Sequence, residues 1–177
     1  MSASPLTAAE KPAAGDRARN RPLLYSRSCG HALRAAERLA AAQHAVPGRP
    51  VPQAELARDV GISTTALAPT LQRLGEAGIV RARRGPSGGV ALARSAAAIT
   101  VLDVVRAIDG QGLAGRCLLG FSDCADETPC PAHPVWKRAR ALLERQLERR
   151  TLADLAVSVA GKRVRARRRE GRLTPPR

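Results

Sequence analysis

The chain has 177 residues, enough for one domain with appendages, and 44% of them are hydrophobic. Aromatic residues are confined to Tyr25, Phe121 and Trp136, so the core must be built from Leu, Val, Ile and Ala. A net charge of +15 and a pI near 11.5 point to a polyanionic partner, nucleic acid first. No apolar run approaches the roughly 20 residues a bilayer span requires, and the N-terminus has no apolar signal core. The expectation is a cytoplasmic protein without membrane contact, whose four cysteines are thiols or metal ligands rather than disulfides.

Residues 1–21 are rich in Ala, Pro and charge with no apolar period and read as a disordered arm of net charge +2. Residues 162–177 carry +7, which leaves +6 on the part between. A first helix is expected over 27–43, with Cys29, Leu33, Ala36 and Ala40 on one face. This assigns Cys29 to the core. Val46-Pro-Gly-Arg-Pro-Val-Pro52 breaks the helix. Gln53–Val60 makes a short helix with Leu56, Ala57 and Val60 inward, and Gly61 ends it in a left-handed turn. Ile62 plugs the core, Ser63 caps the next helix, and Leu67, Leu71 and Leu74 repeat along it. Helix, three-residue glycine turn and second helix make a helix-turn-helix.

Ile79–Arg83 and Gly89–Leu92 read as strands around Arg84-Gly-Pro-Ser-Gly-Gly89, a basic loop whose glycines let the backbone approach another surface. Strands and loop together form a wing. Thr100–Asp109 is a further amphipathic helix, and 110–131 is loop. Pro134–Arg150 is a long helix with Trp136, Ala139, Leu143 and Leu147 on one seam, expected to pair two copies of the chain as a homodimer. Thr151 caps a last short helix, Leu152–Val159. The expected fold is therefore mainly α with a small β-wing, divided into a 1–21 arm, a 22–98 winged helix-turn-helix, a 99–160 cysteine loop with dimerisation helices, and a 161–177 basic disordered tail suited to loose phosphate contact.

Two sets of residues carry chemistry. The second helix of such a motif enters the major groove N-terminal end first, which selects Ser63, Thr64 and Thr65 to meet base edges. Gln72 and Arg73 stand further along, and Arg81, Arg83, Arg84 and Ser87 would set the wing on the backbone or in the minor groove of a double-stranded operator. The second set is a C-x6-C-x5-C-x2-H run: Cys117, Cys124, Cys130 and His133. Thiolates with an imidazole suit an iron–sulfur cluster or zinc, and a thiol redox switch needs only the cysteines. Asp123, Asp126 and Glu127 are substitute oxygen ligands or merely solvate the loop, while His31 and His44 read as ordinary helix residues. No nucleophile–base pair stands out and Gly85–Gly89 lacks a P-loop lysine, so catalysis is not expected. A winged helix can also serve as a protein-interaction module, against which the basic wing argues.

Taken together, Tyr25-Ser-Arg-Ser28, Gly61-Ile-Ser63 with Leu71-Gln-Arg-Leu74, the Arg84–Gly89 wing, the cysteine run with Trp136, and Thr151-Leu-Ala-Asp-Leu155 resemble the Rrf2 family of winged-helix regulators from about Leu24 to Leu155. The resemblance implies a homodimer, operator binding and, in several members, an iron–sulfur cluster, [2Fe–2S] in preference to [4Fe–4S]. It matches Cys117, Cys124, Cys130 and His133 to cluster ligands and makes redox state, nitric oxide or iron–sulfur supply the expected signal for a repressor. The chain departs from the family pattern twice. Pro69 stands within the second helix of the motif, where a polar or charged side chain is usual, and the first cysteine spacing is one residue longer than in the family's iron–sulfur cluster regulator.

Overall fold

A computed structural model describes residues 24–85, 88–110, 117–119 and 126–173, of which 163–173 are described by backbone alone. The expected 1–21 arm, Ser87 of the wing and Cys124 of the cysteine run lie outside them. The elements run α1 (Arg27–Ala45), α2 (Gln53–Val60), α3 (Thr64–Glu76), β1 (Val80–Arg83), β2 (Gly89–Leu92), a 3-10 turn at Ala96–Ala98, α4 (Val101–Asp109), α5 (His133–Glu148) and α6 (Leu152–Leu173).

α1 is the axis of the fold, touching α2, α3, α4, α6 and β2. Its buried apolar residues are Cys29, Ala32, Ala35, Ala36, Leu39 and Ala40, mostly side chains of one carbon, with Glu37 buried beside them. So small a face lets neighbouring helices lie close. The bulk of the core then comes from those neighbours: Leu56, Leu67, Leu74, Ile79, Ile99 and Leu152 are all fully buried. Burying each such side chain contributes about 1.5–3 kcal/mol. Cys29 is wholly buried, as its place on the apolar face requires.

The termini of these helices follow local chemistry. Ser26 Oγ accepts from Cys29 N at 3.1 Å and starts α1. Thr100 and Asp103 form a reciprocal capping box at the start of α4. Gly61 ends α2 at φ +83°, a conformation costly for any residue with a Cβ, and Ile62 packs on the core beside it. Asp109 at the end of α4 accepts from Ser26 N at 2.7 Å, pinning α4 to the start of α1.

β1 and β2 are antiparallel, with Val80 opposite Leu92 and Arg83 opposite Gly89. Val51 joins β2 through two bonds with Val90, each 2.8 Å, and this ties the wing to the body. α5 packs on α4 and buries only His133 and Trp136. Leu143 and Leu147 of the expected seam are half-buried, while Val135 and Leu142 are exposed. At the junction of α5 and α6, Val101 N donates to Arg150 O and Leu152 N to Ile99 O, clamping the root of α6 beside α4.

The C-terminal expectation needs correction. The last helix does not stop at Val159 and residues 161–173 are not a disordered tail: α6 runs unbroken to Leu173. Arg, Lys, Ala and Glu are good helix formers, and no proline intervenes before Pro175, so charge density alone misjudged this segment. Other differences are small: α1 extends two residues to Ala45, β1 begins at Val80, Thr100 caps α4 rather than joining it, and α5 takes in His133.

Candidate nucleic-acid interface and cysteine loop

α3 has two sides. Leu67, Thr70, Leu71 and Leu74 are buried. Ser63, Thr64, Thr65, Ala66, Ala68, Pro69 and Gln72 are exposed. Ser63 Oγ caps the helix by accepting from Ala66 N at 3.2 Å and lies 3.0 Å from Thr65 Oγ1. Gln53 Nε2 donates to Thr64 O at 3.3 Å, fixing the start of α3 to the start of α2. The three hydroxyls therefore stand at an exposed, positively polarised helix N-terminus. Pro69 leaves the Thr65 carbonyl without its usual helical donor, yet α3 continues as one helix. Because Pro69 is on the exposed side, the leucine packing beneath is intact.

Gln72 donates to Glu76 Oε1 at 3.0 Å, a pairing along the helix surface. Arg73 Nη1 donates to Ile108 O at 3.2 Å, at the C-terminal end of α4. That carbonyl is one of the unpaired groups every helix end leaves, and a cation is favoured there. Arg73, itself exposed, thus ties α3 to α4.

In the wing, Arg81 and Arg83 are two residues apart on β1 and share a face; both are exposed, as is Arg84. The loop returns tightly. Gly88 N donates to Gly85 O at 2.8 Å, and a Cβ on Gly88 would stand 2.5 Å from Arg83 O. A Cβ on Gly89 would overlap Val51 O and sit 2.6 Å from Val51 C. Both glycines are therefore required sterically by the backbone that holds Arg83 and Arg84 out from the body.

In the cysteine run, Cys117 and Cys130 are half-buried. His133 opens α5, and its amide donates to Cys130 O at 2.9 Å, which puts the two on one turn of chain. The ring is buried, with Nε2 2.7 Å from Asp126 Oδ1. Lys137 Nζ donates to both Asp126 oxygens, at 2.6 and 2.8 Å. The Lys137 ammonium, and then His133, hold the Asp126 carboxyl below the usual carboxylate range. Asp126 thus belongs to a polar relay with His133 and Lys137. Lys137 escaped the sequence reading, because only the helical turn from 133 to 137 brings it to the same carboxylate.

An iron–sulfur cluster is the group this run suggests, and the donor chemistry fits it: soft thiolates with one imidazole. Among the described residues, however, no three His, Cys, Asp or Glu side chains converge as a metal requires. Ligation through His133 Nε2 would require Asp126 to move from it.

Comparison with known proteins places these features in a family. The model of the Rrf2 family, described as an iron-dependent transcriptional regulator, matches residues 25–158. The HTH-type transcriptional regulator IscR of Yersinia pseudotuberculosis is 36% identical over 106 residues, 60% of this chain and 64% of that protein. IscR of Vibrio campbellii is 34% identical over 106 residues, with 60% of this chain and 62% of that protein covered. The chain therefore spans less than two thirds of these relatives. Among solved structures, IscR of T. potens superposes with a TM-score of 0.59 at 27% identity, over 76% of this chain and 86% of that one. CymR, the global cysteine regulator of B. subtilis, gives a TM-score of 0.62 over 75% of this chain and 95% of that one; at 24% identity it speaks to the fold alone. These relatives are regulators by name, consistent with a chain in which no catalytic group was expected. No helix among the described residues is long and apolar enough to cross a membrane. The chain belongs to the Rrf2 family of transcriptional regulators.

Proposed function

We propose that the chain is a sequence-specific DNA-binding regulator acting as a homodimer, with its operator affinity set by the state of the cysteine loop. The observation that carries this reading is the joint exposure of two surfaces built by one fold. They are the Ser63–Thr64–Thr65 N-terminus of α3 and the Arg81–Arg83–Arg84 wing. The first offers hydroxyls and a helix N-terminus to a groove; the second offers guanidinium groups to phosphates. Gln72 extends the first of these surfaces, while Arg73 is bonded to Ile108 O at the end of α4. The half-exposed Leu143 and Leu147 on α5 support pairing of two copies through that helix, which sets two recognition helices for paired half-sites.

Cys117, Cys124, Cys130 and His133 would hold an iron–sulfur cluster, whose iron and sulfide react with oxidants and nitric oxide. The chain's own part is to connect the loop to both α4 and α5. A change at the thiols is then transmitted to the helix that pairs the copies. A shift in half-site spacing would change affinity by about 5–150-fold, the usual range of coupling of about 1–3 kcal/mol.

Repeated selection from a random duplex pool tests the reading, followed by titration of the enriched site against a scrambled one. The expected outcome is a two-fold symmetric site preferred at least about 1000-fold, as specific regulators prefer theirs. A pool that shows no enrichment overturns sequence-specific binding, and a monomer by sedimentation with the preference intact overturns the dimer.

A further inference from the structure

The continuation of α6 past the body of the fold gives its basic residues a definite arrangement. At 3.6 residues per turn, Leu152, Leu155, Ala156 and Val159 fall within an arc of about 100°. This is the arc turned toward α1, since Leu152 and Ala156 are buried and Leu155 and Val159 line a cleft with Leu33 and Glu37 of α1. On the same register, Arg165, Arg168, Arg169 and Arg172 fall within a second arc of about 100°. It is centred about 140° from the first. Glu170, the acidic residue of the segment, falls off this arc. The four arginines therefore share the side of α6 opposite the one by which its root is held. They extend over about 10 Å at 1.5 Å per residue. The root itself is fixed: Leu152 is fully buried and bonded through its amide to Ile99 O.

We propose that this arginine stripe is a second DNA-binding surface, a rigid arm that contacts the phosphates of duplex DNA independently of the wing. The proposal rests on the reading of the chain as a DNA-binding protein. Charge complementarity selects the occupant. Duplex DNA presents about one negative charge per 1.7 Å of axis, so a 10 Å stripe overlies several phosphates at once. Arginine, which makes up the whole stripe, pairs with phosphate through a planar fork of donors. An arm of helix loses less freedom on binding than a disordered tail would, so its contacts retain more of their energy. It also contacts no base edge, so it adds affinity for any sequence.

The test uses the full chain and a 30-bp duplex of random sequence, followed by anisotropy across a potassium chloride series. Replacing Arg165, Arg168, Arg169 and Arg172 with Gln keeps helix propensity while removing the stripe. The slope of log K against log salt should become shallower by up to about 3.6, at about 0.9 for each of four phosphate contacts. Lys at the same four positions should restore most of the slope. Arg163→Gln with Arg167→Gln, off the stripe, should change it by less than about 1. Circular dichroism checks that α6 remains helical in each variant. Failure of the unmodified chain to bind the duplex overturns the DNA-binding reading itself. Binding by the unmodified chain with an unchanged slope in the stripe variant overturns only the arm and leaves the stripe to a partner other than DNA. Equal loss per charge on and off the stripe also overturns it, because net charge and not the helical face would then govern binding.

Discussion

Gly89→Ala is expected to detach the wing from the body. The added Cβ would overlap Val51 O and lie 2.6 Å from Val51 C and 3.0 Å from Pro52 N. All three are backbone atoms, so no side-chain rotation relieves the clash. The same step breaks the paired 2.8 Å bonds between Val51 and Val90, each contributing about 0.5–1.5 kcal/mol. The φ of +155° at Gly89 adds a conformational cost of about 1–3 kcal/mol for a residue with a Cβ. Together these come to about 2–6 kcal/mol, out of the about 5–15 kcal/mol by which a domain is stable. With a urea m-value of about 1–3 kcal/mol/M, the unfolding midpoint followed by circular dichroism should fall by at least about 0.7 M. Amide exchange at Val51 and Val90 should speed up selectively while the α1 amides keep their relative order. Gly161→Ala serves as the control: nothing lies within 4 Å of its Cβ, so helix propensity should stabilise α6 by up to about 1 kcal/mol. An unchanged midpoint in Gly89→Ala, with Val90 still protected, would refute the close approach of the wing to Val51.

Three further outcomes are expected. Arg84→Ala should weaken binding to duplex DNA and make the salt slope shallower by about 0.9; equal slopes would remove the wing from the interface. Arg73→Ala should cost about 1–3 kcal/mol of stability through the lost bond to Ile108 O while the salt slope stays as it was. A slope that falls with unchanged stability would return Arg73 to the DNA-facing set. Protein purified without oxygen should be brown, with iron and sulfide in similar amounts, and Cys124→Ala should bleach it without loss of helical content. Colourless, iron-free protein after reconstitution would sink the cluster; a peroxide-induced disulfide would then favour the thiol switch, and stoichiometric zinc a structural site.

Much of this protein is legible along the chain because its signals are local. The spacing of Leu67, Leu71 and Leu74, the cap at Ser63, the left-handed stop at Gly61 and the glycines of the wing each act within one turn or one hairpin, so the winged helix-turn-helix follows from neighbours in sequence. The basic wing and the cysteine–histidine spacing are equally local. Tertiary structure alone decided matters that depend on distant partners. Arg73 carries the same charge as Arg83, but 35 residues on, the end of α4 supplies a carbonyl that claims it. Asp126, read as a spare ligand or a solvated carboxylate, joins His133 and Lys137 because the start of α5 carries both to it. The C-terminal run misled for a related reason. Its charge argues for a solvated tail, but a helix whose first turns are anchored by Leu152 and Ala156 has already met the cost of nucleation. Each further Arg, Ala or Lys then only propagates it, and what composition reads as disorder becomes a continuous helix to Leu173.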